Sequence, residues 1–349
     1  MSVPSIVTTE FVRPARRWSR ILTAVALTAT VSTGTALTGL IPAHASTKVS
    51  KTIAVGGHPG VVAVNPQGTQ AYVTSYGDRD GSVSVIAVST GEVTKTIPVG
   101  GHPTGVAFNP QGTQAYVTSF NDNGGESFNG TVSVITVSTG EVSNTIPFGG
   151  YPASVAFNPQ GTAAYVTNHR DGSGTVLVIK VSTGKITRTI PVGKNPDGVA
   201  FNPKGSQAYV TNSGGNSVSV IVVSTGKVSK TVPVGKNPGG VAFNRQGSEA
   251  YVASFGSNKV SVITVSSAKV TQTIPVGRNP QGVAFNRQGT QAYVTNSGGN
   301  SVSVLTVSTG KVGSTIPVGN SPRGVAFNPQ GTQAYVANVN DGTVSVIQP

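Results

Sequence analysis

Between positions 273 and 312 the chain reads TIPVGRNPQGVAFNRQGTQAYVTNSGGNSVSVLTVSTGKV, with its apolar residues gathered into short runs. Residues 282–286, 291–296, 301–307 and 311–318 are rich in Val, Ile, Thr, Tyr and Phe, and Gly, Pro, Asn or Ser bounds each run. This pattern predicts four strands, and no 3.6-residue apolar period argues for helix. The joint Asn286-Arg287-Gln288-Gly289, written Asn-Pro-Gln-Gly in most copies, carries the residue preferences of a type I turn. Ser297-Gly298-Gly299-Asn300 and Ser308-Thr309-Gly310 supply two further connections tolerant of positive φ. Three hairpins in series make an antiparallel meander, and Pro317 assigns the fourth strand to its edge because proline lacks a ladder donor. So small a sheet cannot cover both of its faces and must stack on neighbours.

Copies of this unit fill the chain from residue 48 onward. The turn asparagine recurs at Asn65, Asn109, Asn158, Asn202, Asn244, Asn286 and Asn328, at spacings that subtraction gives as 44, 49, 44, 42, 42 and 42. Tyr72, Tyr116, Tyr165, Tyr209, Tyr251, Tyr293 and Tyr335 keep step with it, so seven of the nine tyrosines serve packing. Four strands in about 42 residues is the period of a propeller blade. The repeats begin at residues 48–55 with a fourth strand and end at 343–347 with a third, each end holding what the other lacks. The expected fold is all-β, a seven-bladed β-propeller of four-stranded antiparallel blades, its ring closed by N-terminal strand pairing with the C-terminal blade. A solenoid would carry polar capping repeats at both ends instead.

The string AYVTN, complete at residues 164–168, 208–212 and 292–296, together with IPVG and VAFNPQG, resembles the YVTN family of seven-bladed β-propellers. The likeness covers about residues 48–348. It implies the propeller fold and points to surface-layer and exported proteins. Similar rings serve as adhesion modules, DNA-binding periplasmic propellers, and lyase or lactonase enzymes, so the resemblance leaves activity open.

Residues 1–45 stand outside the repeat. Arg13, Arg16, Arg17 and Arg20 precede an Ala/Thr/Leu-rich stretch at 21–41 and the A-x-A site Ala43-His44-Ala45, the layout of a secretory signal peptide. Arg16-Arg17 hints at twin-arginine export, although Trp18-Ser19-Arg20 fits that pattern poorly. The domain reading is a signal peptide at 1–45 and a propeller at 46–349, secreted or held at the cell surface, monomeric, with no membrane span after cleavage. Cys is absent, and the single Met and single Trp, Met1 and Trp18, fall inside the leader, so stability rests on packing without disulfides.

Charge adds a second theme. The leader takes four Arg and Glu10 from totals of 24 basic and 11 acidic residues, leaving 20 and 10 and a net charge of +10. Lys185, Lys227, Lys269 and Lys311 follow the third hairpin of successive repeats, while Lys204, Arg245 and Arg287 sit in the first hairpin turn. Both turns of a meander project from one end, so that face of the disc is expected to be basic on the later blades and suited to an anionic polymer, cell-wall glycan or nucleic acid. The plainer reading is a solvated surface. No aromatic residues interleave with these cations, which weakens a single-strand nucleic-acid reading.

Candidate chemistry lies where the copies depart from one another, on the opposite face. Before the connection proline stand His58, His102, Tyr151, Asn195, Asn237, Asn279 and Ser321; after it stand Gly60, Thr104, Ala153, Asp197, Gly239, Gln281 and Arg323. The second strand ends at Tyr76, Phe120, His169, Ser213, Phe255, Ser297 and Val339. A ligand pocket is therefore expected at the channel mouth of blades 1–3, lined by His58, Tyr76, His102, Phe120, Tyr151 and His169, with Asp197 and Arg323 across the ring and Phe255 on the same rim. His58, His102 and His169 could hold a metal or supply a general base, as a lyase- or lactonase-like enzyme would need. No H-E-x-x-H or G-x-S-x-G motif supports this, so no catalytic residue, metal or cofactor is assigned. Asp78-Arg79-Asp80-Gly81 resembles the opening of a calcium loop, but Ser89 stands where the bidentate glutamate belongs, and a hairpin turn accounts for Asp80-Gly81 more simply. The function expected is a binding or surface-interaction module for a small ligand or an anionic polymer.

Overall fold

The computed structural model describes residues 47–77, 81–122, 128–170 and 173–349. The candidate leader at 1–45 and the calcium-like residues Asp78, Arg79 and Asp80 lie outside the described residues. Each first hairpin is built by its asparagine. Asn65 accepts the amides of Thr69 and Gln70 on Oδ1 at 2.8 and 3.0 Å, and its Nδ2 donates to the Thr69 hydroxyl at 2.9 Å. Its carbonyl takes the Gly68 amide at 2.8 Å, and Gly68 turns the chain at φ +70°, a conformation that would strain a residue with a Cβ. Asn109, Asn158 and Asn328 make the same set of bonds, which explains why the residue recurs.

The strands form seven four-stranded sheets, each a meander. Blade 1 runs through His58–Val64, Gln70–Tyr76, Ser82–Ala87 and Glu92–Pro98. Blade 2 follows with His102–Phe108, Gln114–Asp122, Phe128–Thr136 and Glu141–Pro147, and the later blades repeat the order. In blade 7 the chain supplies Pro322–Phe327, Ala334–Asn338 and Thr343–Gln348, and Lys48–Ala54 pairs antiparallel with the last of these, from Lys48↔Gln348 to Ala54↔Thr343. The expected closed ring is observed. Helix among the described residues is limited to two three-residue 3-10 turns, Ser213–Gly215 and Phe255–Ser257.

Alternation along a strand sends neighbouring side chains to opposite blades. In Gln70–Tyr76, Ala71 and Val73 pack toward blade 7 with Tyr335, Val344 and Val346, while Tyr72 packs toward blade 2 with Val106, Ala115 and Val117. Both faces are therefore buried, and Tyr72, Val73 and Ala71 have no exposed surface. The tyrosines also meet the phenylalanine that ends the next blade's first strand, as Tyr116 meets Phe157 with centroids 4.7 Å apart in an edge contact worth about 1 kcal/mol beyond burial. At the seam between blades 7 and 1 that phenylalanine is Val64, which packs in the same cluster as Tyr335. The outer strand contributes one buried side chain per blade, Ile97 in blade 1 and Ile53 at the closing strand. Pro98 and its equivalents lie in these outer strands, where no ladder partner is needed on the far side.

Closure makes Ile53 energetically equivalent to Ile97 despite its place near the start of the repeats. Ile53→Ala and Ile97→Ala should each cost about 2 to 5 kcal/mol, read by chemical denaturation of the full chain. A neutral Ile53→Ala beside a costly Ile97→Ala would mean that the first strand is not part of blade 7.

Candidate functional site

The connections from fourth to first strands and the second-to-third hairpins share one end of the ring, and there the blades are of two kinds. Blades 4 to 6 are entered through Gly-Lys/Arg-Asn-Pro, with Asn195, Asn237 and Asn279 left-handed at φ 47, 49 and 53°. Their carbonyls take the amides of Ser213, Phe255 and Ser297, and the first strand begins only at the proline. Blades 1 to 3 are entered through Gly-Gly-His-Pro or Gly-Gly-Tyr-Pro. Here the reversal is taken one residue earlier, by Gly57 and Gly101 at φ 55 and 58°, where a Cβ on Gly101 would meet the Phe120 carbonyl. His58, His102 and Tyr151 consequently lie within the strand and gain cross-strand partners: His58↔Tyr76, His102↔Phe120 and Tyr151↔His169.

These three pairs join into one arc. Ring centroids are 5.0 Å apart for His58 and Tyr76, 6.1 Å for Tyr76 and His102, and 5.0 Å for His102 and Phe120. The series continues at 4.1 Å from Phe120 to Tyr151 and 4.4 Å from Tyr151 to His169. The Phe120–Tyr151 contact at its centre is worth about 0.5 to 1.5 kcal/mol beyond burial. His58 anchors one end by placing Nδ1 3.2 Å from the Val339 carbonyl of blade 7, and since a carbonyl only accepts, Nδ1 is the donor. His169 ends the arc with Nδ1 buried and without a hydrogen-bond partner among the described residues.

Asp197 and Arg323 come from blades 4 and 7 and lie close enough to act on one another and on Tyr151. Each follows the proline of a first strand whose register shifts just after it, and a threonine hydroxyl of the preceding blade fixes each backbone: Thr167 Oγ1 donates to the Asp197 carbonyl at 2.7 Å and Thr295 Oγ1 to the Arg323 carbonyl at 2.6 Å. Both line a channel cavity of about 220 Å³ with Val61, Thr104 and Gln281. With Tyr151, His169, Asn195 and Ser213 they also line an adjoining cavity of about 400 Å³ at the mouth. Asp197 keeps some exposed surface, yet the surrounding protein pushes its carboxyl above the usual carboxylate value, an effect that Arg323 and His169 oppose. Burial lowers the His169 imidazole, with Asp197 pulling it back, and raises the Tyr151 phenol, which Arg323 counters.

Phe255, expected on the same rim, begins a 3-10 turn in blade 5 and joins none of these ring contacts. The three histidines do not converge: Tyr76 separates the first two, and Phe120 and Tyr151 separate the second from the third. Among the described residues no group of three or more His, Asp or Glu side chains is placed to hold a metal ion. At the opposite end Lys185, Lys227, Lys269, Lys311, Lys204, Arg245 and Arg287 are all exposed. Thr104, Asn195 and Ser213 belong to the departing positions but not to the expected lining, and they line the mouth as well.

A family model described as "Choice-of-anchor I domain" matches residues 140–311, a little under half of the chain. The matched part holds Tyr151, His169 and Asp197 but neither the other arc residues nor Arg323. Among solved structures, a chain of Kuenenia stuttgartiensis hydrazine synthase is similar with a TM-score of 0.75, at 20% identity, over 88% of this chain and 98% of that one. At that identity the similarity is one of fold. No curated protein matches.

The electrostatics at the end of the arc set a pH response. Because the folded protein resists protonation of His169 while the unfolded chain takes a proton near 6.5, this residue's contribution to stability is complete above that pH and is lost as pH falls toward the folded midpoint. NMR titration should give His169 a midpoint below 6.5, and Asp197→Asn should move it lower by removing the charge that raises it. A midpoint that rises in Asp197→Asn would contradict the assigned coupling.

Proposed function

We propose that this protein is a surface-associated propeller of the YVTN type that binds an extracellular ligand at the channel mouth of blades 1 to 3. The carrying observation is the unbroken contact of six rings, from His58 to His169, contributed by the three blades whose entry segments differ from the rest. A packed blade does not require them, since the core clusters are complete without any of the six. The unpartnered His169 Nδ1 and the neighbouring charges of Asp197 and Arg323 give the mouth polar groups with which to orient a ligand. Support for a surface setting comes from the anchor-type description of the family model over 140–311 and from the signal-like sequence at 1–45. An enzymatic reading has no comparable support, because the histidines are dispersed among aromatic rings.

The test is retention of the labelled full chain on envelopes isolated from the cells that produce it. Phe120→Ala combined with Tyr151→Ala removes the middle of the arc and should lower retention by about tenfold or more, the equivalent of 1.4 kcal/mol, while circular dichroism and melting stay close to wild type. Retention unchanged in a folded double variant would exclude the arc as the binding surface.

A further inference from the structure

The mouth carries a second set of residues that no blade needs. Lys194, Lys236 and Arg278 occupy the connections entering blades 4, 5 and 6, each directly before its left-handed asparagine, at the position that is glycine in Gly57, Gly101 and Gly150. All three are exposed, and none of their side chains makes a hydrogen bond or ion pair among the described residues. Their main chains, by contrast, are pinned: the carbonyls of Lys194, Lys236 and Arg278 accept the amides of Gly214, Gly256 and Gly298 at 3.1, 2.9 and 3.1 Å. Other cations of this chain are used internally. Lys51, Lys95 and Lys230 donate to the carbonyls of Thr90, Thr139 and Ser267 in the next blade's hairpin, at 2.7 to 2.9 Å. The segments 213–216, 234–239, 255–258, 276–281 and 297–300, which form the mouth of blades 4 to 6 together with the entry to blade 4, contain no acidic residue; that entry holds Asp197, which lines both the channel and the mouth and has Arg323 beside it.

We infer that the ligand of the mouth is an acidic glycan, a polymer of hydroxyl-rich sugars bearing carboxylates, whose charges are met by Lys194, Lys236 and Arg278 while its sugar rings lie along the arc of blades 1 to 3. This rests on the mouth being a binding surface, as proposed above, and names its ligand class. One cation per blade over three consecutive blades suits a regularly repeating anion better than a single small one. The arc itself selects against stacked bases. Four of its five contacts bring rings to 4.1 to 5.0 Å with interplanar angles of 25 to 35°, so the faces that a base would need are already turned toward neighbouring rings. The edges of such rings are electropositive and favour the oxygen atoms of hydroxyl and carboxylate groups. His58 keeps its Nε2 free of that bond, since Nδ1 is the atom that meets Val339.

The experiment is titration of the full chain with sodium polygalacturonate, neutral dextran and single-stranded DNA at two salt concentrations. Four proteins are compared: wild type, Lys194→Gln/Lys236→Gln/Arg278→Gln, Phe120→Ala/Tyr151→Ala, and the control Lys204→Gln/Arg245→Gln/Arg287→Gln, which removes the same number of cations from the other end of the ring. Polygalacturonate should bind wild type at least about tenfold tighter than dextran, weaken as salt rises, and lose that advantage in the mouth variant but not in the control. Dextran binding as well as polygalacturonate, with loss on Phe120→Ala/Tyr151→Ala, would overturn the acidic-glycan assignment and leave the mouth as the site. Equal binding by the mouth variant and wild type, or loss only in the control, would also overturn it. Tighter binding of single-stranded DNA than of polygalacturonate would replace the glycan with a nucleic acid. Binding of polygalacturonate that survives removal of the arc would instead remove the reading on which the inference rests.

Discussion

Burial of both faces of every blade is the constraint from which the rest of this structure follows. A four-stranded meander whose second strand reads Ala-Tyr-Val-Thr has apolar groups on either side, and only a neighbour on each side can cover them. In a row of seven such units the first and last would each leave one face exposed. Sharing a sheet between the two ends removes that exposure, and the cluster at the seam, with Ile53, Val62, Val73, Tyr335 and Val344, is built like those between the other blades. Without cysteine, cooperativity of the ring depends on this packing.

Repetition then divides the residues into two groups. Asparagine in the first hairpin, tyrosine facing the next blade and threonine bridging two first strands each satisfy a local need that recurs in blade after blade. Residues that abandon the pattern are relieved of those duties. His58, His102 and Tyr151 replace a left-handed asparagine, which is possible only because two glycines take over the reversal before them. The same exchange lengthens the strand by one residue and sets each ring opposite another. A short change in a connection therefore produces a surface extending over three blades.

Much of this was legible in the sequence because it depends on period and local chemistry. Strand order, turn type, outer-strand prolines and ring closure all follow from residues that recur at fixed offsets. The membership of the arc was also visible, as departures from the repeat. Its continuity was not, since that depends on the one-residue difference in where the first strands begin, a matter of backbone φ at Gly57, Gly101 and Asn195. Asp197 and Arg323 stand on different blades, and only the folded channel shows that both line one cavity with Tyr151 and His169. Phe255 shared the alignment position of Tyr76 and Phe120 but not their strand partner, since Asn237 is left-handed where His58 and His102 are extended. Lys194, Lys236 and Arg278 are not distinguished in the sequence from the chain's other cations, since only the structure shows which of these are bound to a neighbouring hairpin.

Site and scaffold meet at the seam, where His58 bonds to Val339 and Arg323 lines the channel beside the first blade. An arc anchored there keeps its geometry only while the ring is closed. Amide hydrogen exchange on the full chain reads that closure directly, strand by strand. The account predicts that the ladder amides of Lys48–Ala54 and Thr343–Gln348 exchange as slowly as those joining Ser82–Ala87 to Glu92–Pro98 in blade 1. Rapid exchange confined to Lys48–Ala54 and its partners on Thr343–Gln348, with blade 1 protected, would show an open ring and contradict it.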